Sequence, residues 1–182
     1  MLRETIIAAT LVAVAAPTAQ AQTPREILTT AAFQTTSKAK ALSLVNQAIA
    51  QSDQILAARA GDREATLQRG VAIGYRAKLT RNRTDAKASL AIFQTLAAQS
   101  PNDPEAQMVV AGWHLDAIDQ LGSLIARTGL GAKAQSGEAA LRRGVTLGGD
   151  RAFYLGLAAL MKIRLNPSAV RSEEHTSELQ SP

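Results

Sequence analysis

The sequence predicts an all-α protein made of stacked antiparallel helical hairpins. Its composition is 46% hydrophobic but only 3% aromatic, which favours alanine-rich helices over sheets built from aromatic and β-branched residues. From Lys38 onwards, apolar residues recur at steps of three or four, and no stretch shows the strict alternation of a half-buried strand. Similar helix starts recur at Asp62 and Asp103, 41 residues apart, which indicates a repeated two-helix unit.

The first 21 residues have the pattern of a secretory signal peptide. A basic start precedes the apolar run Thr5–Ala16, and Ala19-Gln20-Ala21 resembles a cleavage signal. The run is shorter than the roughly 20 residues that a membrane-spanning helix needs. We therefore expect cleavage before Gln22, a periplasmic or secreted protein, and no transmembrane segment after cleavage. A flexible lead-in is expected at 22–37.

The last 12 residues, 171–182, are predicted to be foreign to the protein. Arg171–Ser181 reads Arg-Ser-Glu-Glu-His-Thr-Ser-Glu-Leu-Gln-Ser, which resembles the translation of a common sequencing adapter; the alternative is a polar native tail. On the adapter interpretation His175 has no role, and the native chain continues past about Val170. The helical-repeat domain is accordingly assigned to 38–170 and expected to be truncated at its C-terminal end.

Two helices are predicted first. The first runs from Lys38 to near Gly61, and the second is capped by Asp62 and ends in the turn 81–83. Their apolar stripes are Leu42, Val45, Ile49 and Leu56 in the first, and Leu67, Val71, Tyr75 and Leu79 in the second.

Two further helices follow. Thr84 and Asp85 are expected to open a third helix, which stops at Ser100-Pro101-Asn102. Asp103-Pro104-Glu105 is the clearest helix start, because it joins a capping aspartate, a proline at the first helical position and an acid near the positive helix end. We expect this fourth helix to reach about Arg127.

The last two helices are predicted beyond the glycine break 129–131. Ser136 is expected to cap the fifth helix, and Gly148-Gly149-Asp150 turns into a sixth at Phe153–Leu165. The sixth is apolar on nearly every side, which is typical of a helix covered from several directions. Its missing partner is expected beyond Val170.

Small residues recur about eight positions after three of the helix starts, where they would let two helix backbones approach closely. They are Gly70, Ala111 with Gly112, and Ala158. Phe93 and Leu96, followed by 101–106, join the end of one unit to the start of the next, and Leu165-Asn166-Pro167 is similar to another unit end. In these residues the chain resembles the tetratricopeptide-repeat family. The resemblance implies stacked hairpins with a surface that binds a protein or peptide.

Several kinds of chemistry are excluded or disfavoured. The chain has no cysteine, which excludes disulfides, thiol catalysis and zinc-thiolate sites. With His114 as the only histidine outside the tail, no metal site and no cofactor is expected. Asp116 and Asp119 share a helix face near His114 and could form a hydrolase centre, although a solvated helix edge explains the two carboxylates equally well. We expect the protein not to be an enzyme.

The candidate binding residues are basic and aromatic. Without the two ends, which hold two of the 20 basic and four of the 15 acidic residues, the formal charge rises from +5 to +7, and this favours acidic partners. A basic stretch is formed by Arg63, Arg69, Arg76, Lys78, Arg81, Arg83 and Lys87. The residues assigned to a binding surface are Arg69, Tyr75, Arg76, Trp113 and His114.

The predicted function is a periplasmic module that binds or scaffolds another protein through its helical-repeat surface. The alternatives are an accessory subunit of a periplasmic solute-uptake system, the hydrolase already described, and a protein that binds an anionic polymer or lipid through the basic stretch. Nucleic acid is not expected as a partner, because the chain combines an export signal with few aromatic residues for stacking on bases.

Overall fold

A computed structural model describes residues 22–165, and all regular structure in this range is helical. The expected signal peptide and the adapter-like tail lie outside the described residues, as does the partner of the last helix that is expected beyond Val170. The α-helices are α1 Pro24–Phe33, α2 Lys38–Ala58, α3 Arg63–Thr80, α4 Arg83–Gln99, α5 Pro104–Leu121, α6 Ser123–Ile125, α7 Ala134–Gly148 and α8 Ala152–Leu165, with a π-helical turn at Ala126–Leu130. None of these helices is both long and apolar enough to cross a bilayer.

Aspartate side chains cap the starts of α3 and α5, as the sequence predicts. The Asp62 side chain accepts a hydrogen bond from the backbone N–H of Ala65 at 2.8 Å. The Asp103 carboxylate accepts one from the N–H of Glu105 at 2.9 Å, and Pro104 occupies the first helical position. These caps satisfy backbone donors that have no partner within the helix, so the predicted starts of α3 and α5 are confirmed.

The flexible lead-in expected at 22–37 contains a helix instead. Thr23 and Glu26 form a reciprocal capping box at the start of α1. Ile27 and Ala31 of this helix are fully buried and belong to the same core as α2 and α3. With only ten residues, α1 is too short to be stable alone, and its burial against α2 and α3 explains why it forms.

Three other predicted boundaries are wrong. Asn82, not the Thr84-Asp85 pair, caps α4. The helix that starts at Pro104 ends at Leu121 rather than near Arg127, because Gly122 takes a φ of +76°, a left-handed value that glycine tolerates best. Ser136 lies inside α7 rather than at its cap, and the residue before the helix makes no capping hydrogen bond through its side chain.

The core consists mainly of small and aliphatic side chains from neighbouring helices. One cluster joins α1, α2 and α3, and another joins α5, α7 and α8. Between them, Leu67 of α3 packs with Leu96 of α4 and Ala106 of α5. Contacts therefore run from each major helix to the next, and α3 also contacts both α1 and α5.

Glycine and serine allow α3 and α4 to approach closely. A Cβ added at Gly70 would lie 2.6 Å from Cε1 of Phe93, and one at Gly74 would lie 2.7 Å from Oγ of Ser89. The buried Ser89 hydroxyl donates a hydrogen bond to the carbonyl oxygen of Gly70 at 2.9 Å. Larger side chains at these positions would force the two helices apart.

Helix α8 leaves much of its apolar surface uncovered. Tyr154 and Ala158 are buried against the neighbouring helices. Four large hydrophobic side chains remain exposed, namely Phe153, Leu155, Leu160 and Ile163. The sequence correctly indicates a helix with little polar surface, but within residues 22–165 only one side of it is covered.

Replacing Gly70 by alanine should destabilise the fold, although alanine is the better helix former. The added methyl group would meet the buried Phe93 ring, so we expect the free energy of unfolding to fall by about 1–3 kcal/mol in urea titrations. Gly156 in α8 is the matched control, because a Cβ there meets nothing within 4 Å. Replacing Gly156 by alanine should raise the free energy of unfolding by about 0.5–1 kcal/mol. Equal effects at both sites would contradict the close packing.

Candidate binding groove

An open groove of about 1120 Å³ lies among the described residues. Its walls come from the second halves of α1, α3 and α5, from the first half of α4 and from the π-helical turn. Arg164 of α8 closes one side. Because the groove draws on helices that are far apart in sequence, it exists only when these helices pack together.

Aromatic side chains form part of the groove surface, and two of them were assigned from the sequence. The Tyr75 hydroxyl donates to the carbonyl oxygen of Ala31 at 3.2 Å, and Trp113 Nε1 donates to the carbonyl oxygen of Ala86 at 2.9 Å. Both rings are half-buried and line the groove. Their polar atoms are already satisfied, so they offer rigid apolar surface to a ligand. Phe33, which is 84% exposed, and the buried Phe93 also line the groove.

Ion pairs link several charged side chains in and beside the groove. Lys78 Nζ lies 2.9 Å from a carboxylate oxygen of Asp116, and Arg164 contacts Asp116 at 3.8 Å and Asp119 at 2.8 Å. The two carboxylates of the hydrolase hypothesis are therefore both ion-paired. Their charge is balanced by cations from α3 and α8.

His114 lies away from these carboxylates. It is 4% exposed, and its Nδ1 accepts a hydrogen bond from the backbone N–H of Lys133 at 3.3 Å. It is not among the residues that line the groove. The pKa of His114 is lowered, first by burial and then by the nearby charge of Lys133. The structure thus does not bring His114, Asp116 and Asp119 to one cleft.

The two arginines assigned to the binding surface are engaged elsewhere. Arg76 donates two hydrogen bonds to Asp85, at 2.8 and 2.9 Å, and this pairing raises the pKa of Arg76. Arg69 Nε lies 2.6 Å from a carboxylate oxygen of Asp53. Neither arginine lines the groove. Of the five assigned residues, the groove contains Tyr75 and Trp113 but not Arg69, Arg76 or His114.

Arg81 and Arg83 line the groove but were assigned from the sequence only to the wider basic stretch. Both are exposed, and neither forms an ion pair with a described residue. Arg81 caps the end of α3 with a φ of +58°, and Arg83 is the first residue of α4. The Arg-Asn-Arg sequence at 81–83 marks a turn, but it does not reveal which basic side chains lack an acidic neighbour.

A second charged cluster lies at the opposite ends of the same helices. Arg25 at the start of α1 contacts Glu64 and Glu105, and Arg63 contacts Asp103 and Glu105. The hydrogen bond from Arg25 is the main cause that lowers the pKa of Glu64. This network joins the N-terminal ends of α1, α3 and α5.

A smaller cavity of about 270 Å³ lies between α4, α5 and α8. Its lining is almost wholly apolar and includes Phe93, Met108, Met161 and the exposed Phe153. Residues 22–165 contain no group of three potential metal-ligating side chains.

Comparisons with known proteins do not identify the chain. No protein-family model matches it, and there is no significant match among curated proteins or solved structures. The geometry of the groove is therefore the main guide to function.

Protonation of His114 should make stability depend on pH. Because the folded-state pKa lies below the ordinary value of 6.5, the unfolded chain takes up the proton first. Stability should be full above pH 6.5 and should fall as the pH drops below that value. A charged imidazole would also lose Nδ1 as the acceptor for Lys133. We expect His114→Asn to remove this dependence in urea titrations between about pH 7.5 and 5.5, whereas His175→Asn retains it. An unchanged profile in His114→Asn would contradict this assignment.

Proposed function

We propose that this protein is a protein-binding module whose groove is formed by stacked antiparallel helical hairpins. Contacts within the proposed hairpins run in opposite order along the two helices. In the hairpin of α3 and α4, Gly70 meets Phe93, Gly74 meets Ser89, and Arg76 meets Asp85. In the hairpin of α5 and α7, Gly137 meets Leu115 and Gly144 meets Met108. As the residue numbers rise along one helix, the numbers of the residues that they contact on the other helix fall, which is the arrangement of an antiparallel pair.

Alternate helices make contacts in the same order, as stacked hairpins would. From α1 to α3, Arg25 meets Glu64 and Ala31 meets Tyr75. From α3 to α5, Arg63 meets Asp103 and Lys78 meets Asp116. From α5 to α8, Gly112 faces Met161 and Asp119 meets Arg164. This pattern supports the tetratricopeptide-like arrangement that the resemblance implies.

The shape of the groove is the observation that carries the functional proposal. Small-molecule sites are usually enclosed cavities of about 300–1,000 Å³. This groove exceeds that range at about 1120 Å³, is open to solvent, and is lined by residues of five of the major helices, α1, α3, α4, α5 and α8. Aromatic rings that are exposed or half-buried, beside charged groups, suit an extended or helical segment of another protein.

An enzymatic role receives less support from the same residues. Asp116 and Asp119 are occupied by ion pairs, and His114 is buried away from them. Acid-base catalysis needs a proton-transferring group within hydrogen-bond reach of its substrate. We therefore propose a binding role rather than a catalytic one, in the periplasm or outside the cell if the N-terminal pattern directs export.

Selection of peptides from a random displayed library tests the proposal. We expect the purified protein to enrich peptides whose binding is lost in a Phe33→Ser/Leu121→Ser variant, because both side chains are exposed and line the groove. Leu155→Ser/Leu160→Ser is the matched control, since these side chains are also exposed, on α8, but lie outside the groove. The measurement is fluorescence anisotropy with the selected peptides. No enrichment, or equal loss of binding in both variants, would refute a binding function for the groove.

A further inference from the structure

Uncompensated positive charge in the groove is concentrated where α3 passes into α4. Lys78 and Arg164 have acidic partners, whereas Arg81 and Arg83 have none among residues 22–165. Arg83 also stands at the first position of α4, where the helix dipole places partial positive charge. The potential at this edge of the groove therefore favours an anionic ligand.

The backbone of Arg81 is a second, independent observation. Its φ of +58° and ψ of +32° lie in the left-handed region, which glycine adopts without the steric cost that Cβ imposes on other residues. Glycine at this position would make a more stable end to α3. The arginine side chain gains no described ion pair in return, but it does project a cation onto the groove surface. Strain of this kind is often retained where a side chain serves binding.

We propose that the groove binds an acidic segment of a partner protein. Carboxylates of that segment pair with Arg81 and Arg83, and apolar side chains of the same segment lie against Tyr75, Trp113 and Phe33. This proposal rests on the proposed function and specifies the chemistry of the partner.

The lining of the groove favours an acidic polypeptide over other anions. A lipid surface is broad and would meet exposed cations on a convex or flat face, whereas Arg81 and Arg83 border a concavity. Inside the same groove, Asp116 pairs with Lys78 and Arg164, so the free positive charge is confined to one edge and does not form the continuous basic track that a phosphate backbone needs. A polypeptide can present carboxylates at one end of the groove and apolar side chains at the other.

The test uses three labelled peptides with the same apolar residues and with acidic, neutral or basic residues between them. The acidic peptide should bind at least tenfold more tightly than the neutral one, as measured by fluorescence anisotropy. Raising the ionic strength from about 0.05 to about 0.5 M should remove most of this preference. In Arg81→Gln/Arg83→Gln the acidic peptide should bind about tenfold more weakly, because two partly exposed charge pairs are lost. Lys38→Gln/Lys40→Gln removes two exposed charges outside the groove and should bind like the parent.

A single substitution separates the role of the Arg81 side chain from that of its backbone. Arg81→Gly should raise the melting temperature by about 2 °C by relieving the left-handed conformation, yet should weaken binding of the acidic peptide about threefold. Arg81→Lys should retain binding, because it keeps the charge. A glycine variant that binds as tightly as the parent would overturn the proposal.

The outcomes distinguish this proposal from the proposed function. Equal binding of the acidic and neutral peptides would reject the acidic partner but leave a protein-binding groove. Failure of all three peptides, together with no enrichment from the library, would reject the binding function itself. Association with phosphatidylserine vesicles that depends on Arg81 and Arg83, without binding of the acidic peptide, would replace the acidic segment by an anionic lipid surface.

Discussion

Close approach between helix backbones is the constraint on which the rest of this structure depends. The chain has few aromatic side chains to fill wide gaps, so its helices must lie near one another to bury enough surface. Gly70 and Gly74 allow α4 to pack against α3, and Gly137 and Gly144 allow α7 to pack against α5. Without these contacts the walls of the groove would separate, and Tyr75 and Trp113 would no longer share one surface.

The pairing of charges differs between the two ends of α1, α3 and α5. At the N-terminal ends of α1, α3 and α5, arginines and carboxylates neutralise one another in a network. At the groove, Lys78 and Arg164 are balanced by acids and also lie in the last turns of their helices, where cations offset the partial negative charge of the helix end. Arg81 and Arg83 are the groove cations without such a partner in the described part of the chain. One end thus joins the helices through ion pairs, whereas the other keeps two cations without a described acidic partner.

Local signals in the sequence predict the helices well, but long-range packing decides what they miss. The caps at Asp62 and Asp103 are read correctly because they depend on a few adjacent residues. The helix at Pro24–Phe33 is missed because it is short and relies on burial by α2 and α3. Tyr75 and Trp113, which were selected from the sequence by residue type, line the groove. Arg69 and Arg76 do not line it, and the acids that pair with them, Asp53 and Asp85, come from neighbouring helices, which the sequence does not reveal.

The packing of α3 against α4 can be tested directly, because the chain contains no cysteine. A Cβ at Gly74 would lie 3.5 Å from Cβ of Ser89, which is within the roughly 3.5–4.5 Å that a disulfide requires. The account predicts that Gly74→Cys/Ser89→Cys forms an intramolecular disulfide under mild oxidation, whereas Gly74→Cys/Ala88→Cys does not, because its second position is exposed on α4. The measurement is the yield of cross-linked monomer by mass spectrometry. Equal yields from the two variants, or no cross-link in the first, would contradict the packing that forms the groove.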